Sequence, residues 1–191
     1  MRMKLFFFDL ETTGIMPSRN GIHQISGQIV IDGRTMETFN YHVRPNPKAR
    51  IDEEALRVGG VTLEHITSYP PMEEIHTRLT EMLGRYVDKY DRLDKFFLVG
   101  YNNASFDNDF LRGFFKQSGD NFFGSWFWSN CLDVMVLASH HLTDKRPSMP
   151  DFKLSTVAAT LGVTVNSDDL HDAAYDIVLT RAVYDAVGGK Y

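Results

Sequence analysis

The sequence predicts an α/β domain in which an antiparallel meander and further strands are covered by helices on both faces. Residues 4–10 are apolar at both odd and even positions, which is typical of a central strand. Residues 22–31 and 35–43 are strand-like and flank Asp32-Gly33, a dipeptide that favours a tight hairpin turn. Helical patterns separated by short loops fill most of the rest, which predicts helices packed on a sheet.

The remaining elements follow from periodicity and from helix-end signals. Residues 51–69 are predicted to form short helical segments broken at Gly59-Gly60, and Pro70-Pro71 is predicted to open a longer helix to about Tyr90. Further elements are predicted as follows: a buried strand over 96–101, a helix from about Asp107, an aromatic loop-like stretch over 122–128, a helix over 131–141, a loop over 148–150, and helices over 153–161 and 173–187.

Composition predicts one domain spanning residues 1–191. The 191 residues are 43% hydrophobic and 13% aromatic, which is enough for a sizeable core. The single cysteine, Cys131, cannot form an intrachain disulfide, and no apolar run approaches the roughly 20 residues of a membrane-spanning helix. We therefore expect a cytoplasmic protein without a membrane partner. The net charge of −5 argues against a protein that coats nucleic acid electrostatically, but not against a nuclease.

Two acids close the first predicted strand. Asp9 and Glu11 project to the same side, because side chains alternate along a strand. Burying two carboxylates together is costly unless something compensates their charge, and a divalent cation does so. Oxygen ligands of this type suit Mg²⁺ or Mn²⁺. The alternative is that both acids merely decorate a strand end.

Two further acids are predicted to face the interior from helices. Asp107 shares a stripe with Phe110, Leu111, Phe114 and Phe115, whereas Asp109 falls on another face and is expected to be solvated. Asp176 shares a stripe with Leu179, Thr180, Val183 and Val187. The structural alternative for Asp107 is a helix N-cap.

These residues lie in three ordered segments that resemble the motifs of the DnaQ-like exonucleases, the family called DEDDh for its four acids and one histidine. The segments are Phe8-Asp9-Leu10-Glu11-Thr12-Thr13-Gly14, Asn103-Ala104-Ser105-Phe106-Asp107 and His171-Asp172-Ala173-Ala174-Tyr175-Asp176. The resemblance covers essentially the whole chain. It implies a ribonuclease H-like three-layer fold with a central mixed five-stranded sheet and helices on both faces.

The resemblance also implies a mechanism. Asp9, Glu11, Asp107 and Asp176 would hold two Mg²⁺ or Mn²⁺ ions, and His171, expected in the loop before the last helix, would act as general base. A sister group has a tyrosine four residues before the last aspartate, where this chain has Asp172, and Tyr175 is placed too late for that role. Leu10, Thr12 and Thr13 would contact the terminal nucleotide. Asp133 would support the site without necessarily binding metal.

The implied activity is release of nucleoside 5′-monophosphates from the 3′ end of single-stranded DNA. The same chemistry on RNA or short oligoribonucleotides is one alternative, and a silent metal-binding or nucleic-acid-binding module is another. Partners other than the strand end would be a DNA polymerase or a second copy, although the absence of a tail after residue 187 favours a free-standing enzyme. The five aromatics of residues 122–128 are predicted to fill the core, with one exposed ring, rather than to stack on bases.

Overall fold

The computed structural model describes residues 2–166 and 173–191. Its strands are β1 (Lys4–Thr12), β2 (Ile22–Ile31), β3 (Arg34–His42), β4 (Phe97–Gly100) and β5 (Leu132–Asp133). Its α-helices are α1 (Glu53–Val58), α2 (Leu63–Ser68), α3 (Met72–Gly84), α4 (Asp107–Gln117), α5 (Phe123–Trp126), α6 (Val134–His141), α7 (Leu154–Thr160) and α8 (Ala173–Ala186).

The strands form one mixed sheet in the order β3-β2-β1-β4-β5. The meander β1-β2-β3 is antiparallel, and its hairpin turns at Asp32 and Gly33, both of which have positive φ. β4 pairs in parallel with β1, and β5 pairs in parallel with β4. The carboxyl ends of β1, β4 and β5 therefore lie at one edge of the sheet, which is where ligands bind in many α/β proteins.

Two hydrophobic cores cover the two faces of the sheet, as predicted. Phe6, Phe8 and Leu10 of β1 pack into the core that includes α3, α4 and α5, and Leu5 and Phe7 pack into the core that includes α6, α7 and α8. Alternate residues of β1 thus face different helices, which explains why the strand is apolar throughout. No helix within residues 2–166 or 173–191 combines the length and apolar character needed to cross a membrane.

Two predicted element boundaries are wrong. The helix after Pro70-Pro71 ends at Gly84 instead of near Tyr90, because the following turn is held by other contacts: the Lys4 ammonium donates to the carbonyl of Tyr86 and to the carboxylate of Asp94. The helix predicted over 131–141 begins only at Val134, because Leu132 and Asp133 pair with β4 and form the fifth strand.

The aromatic stretch 122–128 is mainly core, as predicted. Phe123, Trp126 and Phe127 are buried, Trp128 is half-buried, and Phe122 is the one ring left largely exposed, at 71%. The stretch is not all loop, because its first buried residues form the short helix α5. Base stacking by this stretch is therefore limited to Phe122 and the accessible part of Trp128.

Candidate active site

Strand alternation places Asp9 and Glu11 on the face of β1 that packs against α8. They continue the odd-numbered series that begins with Leu5 and Phe7, which lie in the same hydrophobic core as Ile177, Leu179 and Val183 of α8. Both acids are partly buried. Asp176 is partly buried one turn before Thr180, which is buried like Leu179 and Val183. The predicted inward-facing stripe of α8 is thereby confirmed.

Asp107 reaches the same edge from the opposite face of the sheet. It is the first residue of α4, and its side chain is 6% exposed. The N-cap position belongs to Phe106, and no side-chain cap is formed, so the alternative that Asp107 serves as a helix cap is wrong. Asp109 is exposed, as predicted.

The other three acids act electrostatically on Asp9. Burial raises the pKa of Asp9 well above its ordinary value, and the negative charges of Asp107, Glu11 and Asp176 raise it further. Burial also raises the pKa of Asp107 to about 7, with a smaller contribution from Glu11. The backbone N–H of Leu10 lowers the pKa of both aspartates. The cluster therefore costs stability when ionised, and a bound cation would relieve that cost.

The donor set fits hard divalent cations, since four carboxylates from three elements supply only oxygen ligands. As placed in the structure, the acids are not closed around an ion. Within residues 2–166 and 173–191, no group of three or more His, Cys, Asp or Glu side chains has the spacing of a metal site. Cation binding would therefore have to draw the carboxylates together against their mutual repulsion.

His171 lies outside the described residues, so its predicted position in the loop before α8 stays a prediction. Tyr175 is described, and its hydroxyl accepts a hydrogen bond of 2.7 Å from the backbone N–H of Asn166. This contact ties the first turn of α8 to the chain that follows α7.

The predicted substrate contacts lie at the end of β1. Leu10 is 6% exposed and packs into the core on the face opposite Asp9. The Thr12 hydroxyl donates to the carbonyl of Gly14. Thr13 is fully buried: its N–H donates to the carbonyl of Gly21, and its hydroxyl donates to the carbonyl of Arg50. Thr13 therefore has a structural role in this loop, and its role in substrate binding stays a prediction.

Gly14 follows in a conformation with φ of 156°. A Cβ added there would lie 2.3 Å from both the Asn20 amide nitrogen and a carboxylate oxygen of Asp52. The glycine of the first motif thus allows the loop after β1 to close tightly against Asn20 and Asp52.

Asp133 supports the turn that precedes Asp107. It is 8% exposed, and its carboxylate accepts hydrogen bonds from the N–H groups of Asn102 at 3.0 Å, Ala104 at 3.3 Å and Met135 at 2.9 Å. One side chain thereby joins β5, the N-terminus of α6 and the chain that leads into α4. These hydrogen bonds would be the physical basis of the supporting role that the family resemblance implies.

We expect Asp133→Asn to reduce both stability and turnover. The amide retains one oxygen acceptor, so at least one buried N–H loses its partner, at a cost of about 1–3 kcal/mol. Turnover should fall roughly 10- to 100-fold, as is typical when a residue that holds a metal ligand in place is replaced. Urea unfolding and steady-state assays would measure both effects. Asp144→Asn, the same change at an exposed site, is the matched control; equal effects in both variants would contradict the supporting role.

His23 was missed by sequence reasoning. It is 1% exposed, neither ring nitrogen has a hydrogen-bond partner among the described residues, and burial, with the charge of His42, lowers its pKa to about 4. A Cβ built on Gly59 would lie 3.6 Å from Glu11 Oε2 and 3.7 Å from His23 Nε2, so the imidazole lies near the acid cluster. The sequence feature that could have indicated His23 is its position as a histidine in an apolar strand, the one that pairs with β1.

His23 should make the protein less stable as pH falls. The unfolded chain takes up a proton near pH 6.5 and the folded chain only near pH 4, so stability is lost as pH drops through this range. At pH 5 the loss is about 2 kcal/mol relative to neutral pH. We expect His23→Leu to lose this part of the pH dependence in urea unfolding at pH 7 and pH 5. The exposed His141→Leu should keep it; parallel behaviour of the two variants would contradict the assignment.

Comparison with known proteins agrees with this arrangement. An exonuclease family model of the RNase T type matches residues 6–184. A PolC-type DNA polymerase III from Mycoplasmopsis pulmonis is 25% identical over 169 residues, which cover 88% of this chain and 10% of that protein. A DNA polymerase III subunit epsilon-like protein from Rhodobacter capsulatus is 25% identical over 184 residues, which cover 96% of this chain and 23% of that protein. The chain spans less than a quarter of either relative.

Solved structures confirm the fold. The zinc-bound complex of Escherichia coli exonuclease I with single-stranded DNA superposes with a TM-score of 0.77 at 19% identity, over 98% of this chain and 40% of that one. The complex of the same enzyme with a dT13 oligonucleotide gives a TM-score of 0.72 at 19% identity, over 97% of this chain and 40% of that one. The predicted ribonuclease H-like sheet with helices on both faces is confirmed by these matches and by the strand order.

Proposed function

Because the chain belongs to the RNase T-type exonuclease family, we propose that it is a two-metal-dependent 3′–5′ exonuclease that releases nucleoside 5′-monophosphates from single-stranded DNA. The observation that carries this proposal is the group of four acids at the carboxyl ends of the strands: Asp9, Glu11, Asp107 and Asp176. The negative charges of the other three disfavour the ionisation of Asp9. Because such a cluster lowers the stability of the fold, its presence supports a role in function.

Each residue has a proposed role. The four carboxylates would hold two Mg²⁺ or Mn²⁺ ions, which when bound activate water and stabilise the departing 3′ oxygen. His171 would accept the proton of the attacking water. Leu10, Thr12 and Thr13 would contact the terminal nucleotide, and Asp133 would keep the turn before Asp107 in place.

DNA is proposed as the substrate for two reasons. The relatives are named as DNA polymerase III proteins, and the matching exonuclease I structures contain single-stranded DNA or an oligonucleotide of dT. RNA is the alternative with the same chemistry. A polymerase or a second copy as partner, and a cytoplasmic location, stay predictions from the sequence.

The test is an assay of 5′-labelled single-stranded DNA and RNA of equal sequence, with Mg²⁺, with Mn²⁺ and with chelator. We expect a metal-dependent ladder that shortens from the 3′ end of DNA. A ladder on RNA alone would transfer the proposal to RNA. Internal cuts, or activity that survives Asp9→Ala, would contradict the proposed function.

A further inference from the structure

A groove of about 640 Å³ opens beside Asp176, on the side of the site formed by β4 and α7. We call it the Lys153 groove; besides Asp176 its walls include Tyr101, Asn102, Met135, Phe152, Lys153 and Ser155. It shares Asp176 with the acid cluster and therefore opens directly onto the candidate active site. None of the predicted contacts to the terminal nucleotide lines it, because Leu10, Thr12 and Thr13 lie at the end of β1.

The aromatic wall of the groove is held in place by contacts on both sides. The Tyr101 hydroxyl donates a hydrogen bond of 2.7 Å to the carbonyl of Phe152. The guanidinium of Arg146 lies 3.7 Å from the centre of the Phe152 ring. Tyr101 and Phe152 are both half-buried, so parts of two fixed rings remain accessible to a ligand. Partly exposed aromatic surface beside positive charge suits the bases and sugars of a single strand.

Lys153 supplies a positive charge at the groove. It is exposed, and no carboxylate of residues 2–166 or 173–191 lies within ion-pair distance of it. Hydrogen bonds from Thr156 and from the Lys153 N–H lower the pKa of the exposed Asp151 carboxyl, and the Lys153 charge has a smaller effect in the same direction. It immediately precedes α7, where its side chain makes no capping hydrogen bond, and a cation at that end of a helix is unfavourable for helix stability. The Lys153 ammonium is therefore available to an anionic ligand in the groove.

We propose that the Lys153 groove binds the nucleotide on the 5′ side of the cut, with its phosphate at Lys153 and Ser155 and its base or sugar against Phe152 and Tyr101. This inference rests on the proposed function. The terminal nucleotide and the remainder of the strand must leave the scissile phosphate in different directions. Leu10 packs on the face of β1 opposite Asp9, whereas the groove is lined by residues that follow β4, by α7 and by Asp176. The groove would therefore increase the affinity for an oligonucleotide over that for a phosphodiester with no nucleotide on its 5′ side.

The test compares a dT octanucleotide with the p-nitrophenyl ester of thymidine 5′-monophosphate, which has a scissile phosphodiester but no nucleotide on its 5′ side. For Lys153→Ala we expect KM for the octanucleotide to rise about tenfold, because one charge-assisted contact to a phosphate is lost. The slope of log KM against log salt should fall by roughly 0.7. Hydrolysis of the ester should change less than about twofold, since the groove is empty in that reaction.

Lys153→Arg should restore most of the octanucleotide affinity, and Lys116→Ala, the same charge loss at an exposed site on α4, should leave it unchanged. An unaltered octanucleotide KM in Lys153→Ala would overturn the inference, as would an equal loss on the ester. If the unmodified protein hydrolyses neither substrate, the proposed function fails. Fluorescence anisotropy with labelled dT8, and with thymidine 5′-monophosphate as competitor, then tests the groove alone: weaker binding of dT8 but not of the mononucleotide by Lys153→Ala supports it, and no difference between the variants overturns it.

Discussion

Asp107→Asn should abolish turnover and at the same time stabilise the protein in the presence of chelator. Turnover should fall by more than the roughly 10- to 100-fold that is typical when a residue supporting a metal ligand is removed, because Asp107 is itself a proposed metal ligand. The gain in stability follows from its environment. Burial and the neighbouring acids raise the pKa of Asp107 to about 7, so ionisation of this carboxyl disfavours the folded state.

The sign of the pH dependence is specific. The unfolded chain loses this proton near pH 3.8 and the folded chain near pH 7, so the unmodified protein loses stability as pH rises between these values. One pKa unit corresponds to about 1.4 kcal/mol, which sets an upper limit of roughly 4 kcal/mol for the advantage of Asp107→Asn at pH 8. Urea unfolding with chelator from pH 4 to pH 8 measures it.

Asp109→Asn is the matched control for this experiment, because Asp109 lies in the same turn of α4 and is exposed. It should keep normal turnover and gain little stability. Adding Mn²⁺ should stabilise the unmodified protein and Asp109→Asn but not Asp107→Asn. Equal turnover in the two variants, or a destabilised Asp107→Asn at pH 8, would contradict the role assigned to Asp107.

His171→Ala should lower turnover by about 10²- to 10⁴-fold while leaving metal binding largely intact, as expected for loss of a general base. Steady-state rates with saturating Mn²⁺ measure the loss of turnover, and a Mn²⁺ titration measures metal binding.

Tyr175→Phe separates this mechanism from that of the sister group with a tyrosine in the site. The Tyr175 hydroxyl is engaged by the N–H of Asn166, so its removal should affect the local structure more than the chemistry. We expect turnover within a few-fold of normal. Unchanged turnover in His171→Ala together with a large loss in Tyr175→Phe would reverse the assignment.

The fold was largely predictable because its strongest signals are local. β2 has the predicted bounds, and the Asp32-Gly33 hairpin was marked by residues that adopt positive φ readily. The two boundary errors have a common physical cause. Leu132 and Asp133 become a strand only by pairing with β4, and the chain after Gly84 is fixed by Lys4 from a distant part of the sequence. Such long-range contacts leave no periodic pattern.

The candidate site was predictable to a similar extent. Alternation along β1 and the stripes of α4 and α8 predict four acids that face the interior, and the charges of Asp107, Glu11 and Asp176 raise the pKa of Asp9. The environment of His23 could not be predicted, because it depends on how β2 pairs with β1 and on the approach of Gly59. The Lys153 groove forms where residues near 101, 135 and 153 come together, so the sequence of any one of these segments does not predict it.

The most direct test of the proposed site is the number of Mn²⁺ ions bound per chain, measured by electron paramagnetic resonance of free Mn²⁺ with a nucleoside 5′-monophosphate present. We expect two ions per chain in the unmodified protein and at most one in Asp9→Asn. Proton release should accompany binding near pH 7, because Asp107 must ionise to act as a ligand. Absence of binding at millimolar Mn²⁺, or two ions still bound by Asp9→Asn, would contradict a metal site at these carboxylates.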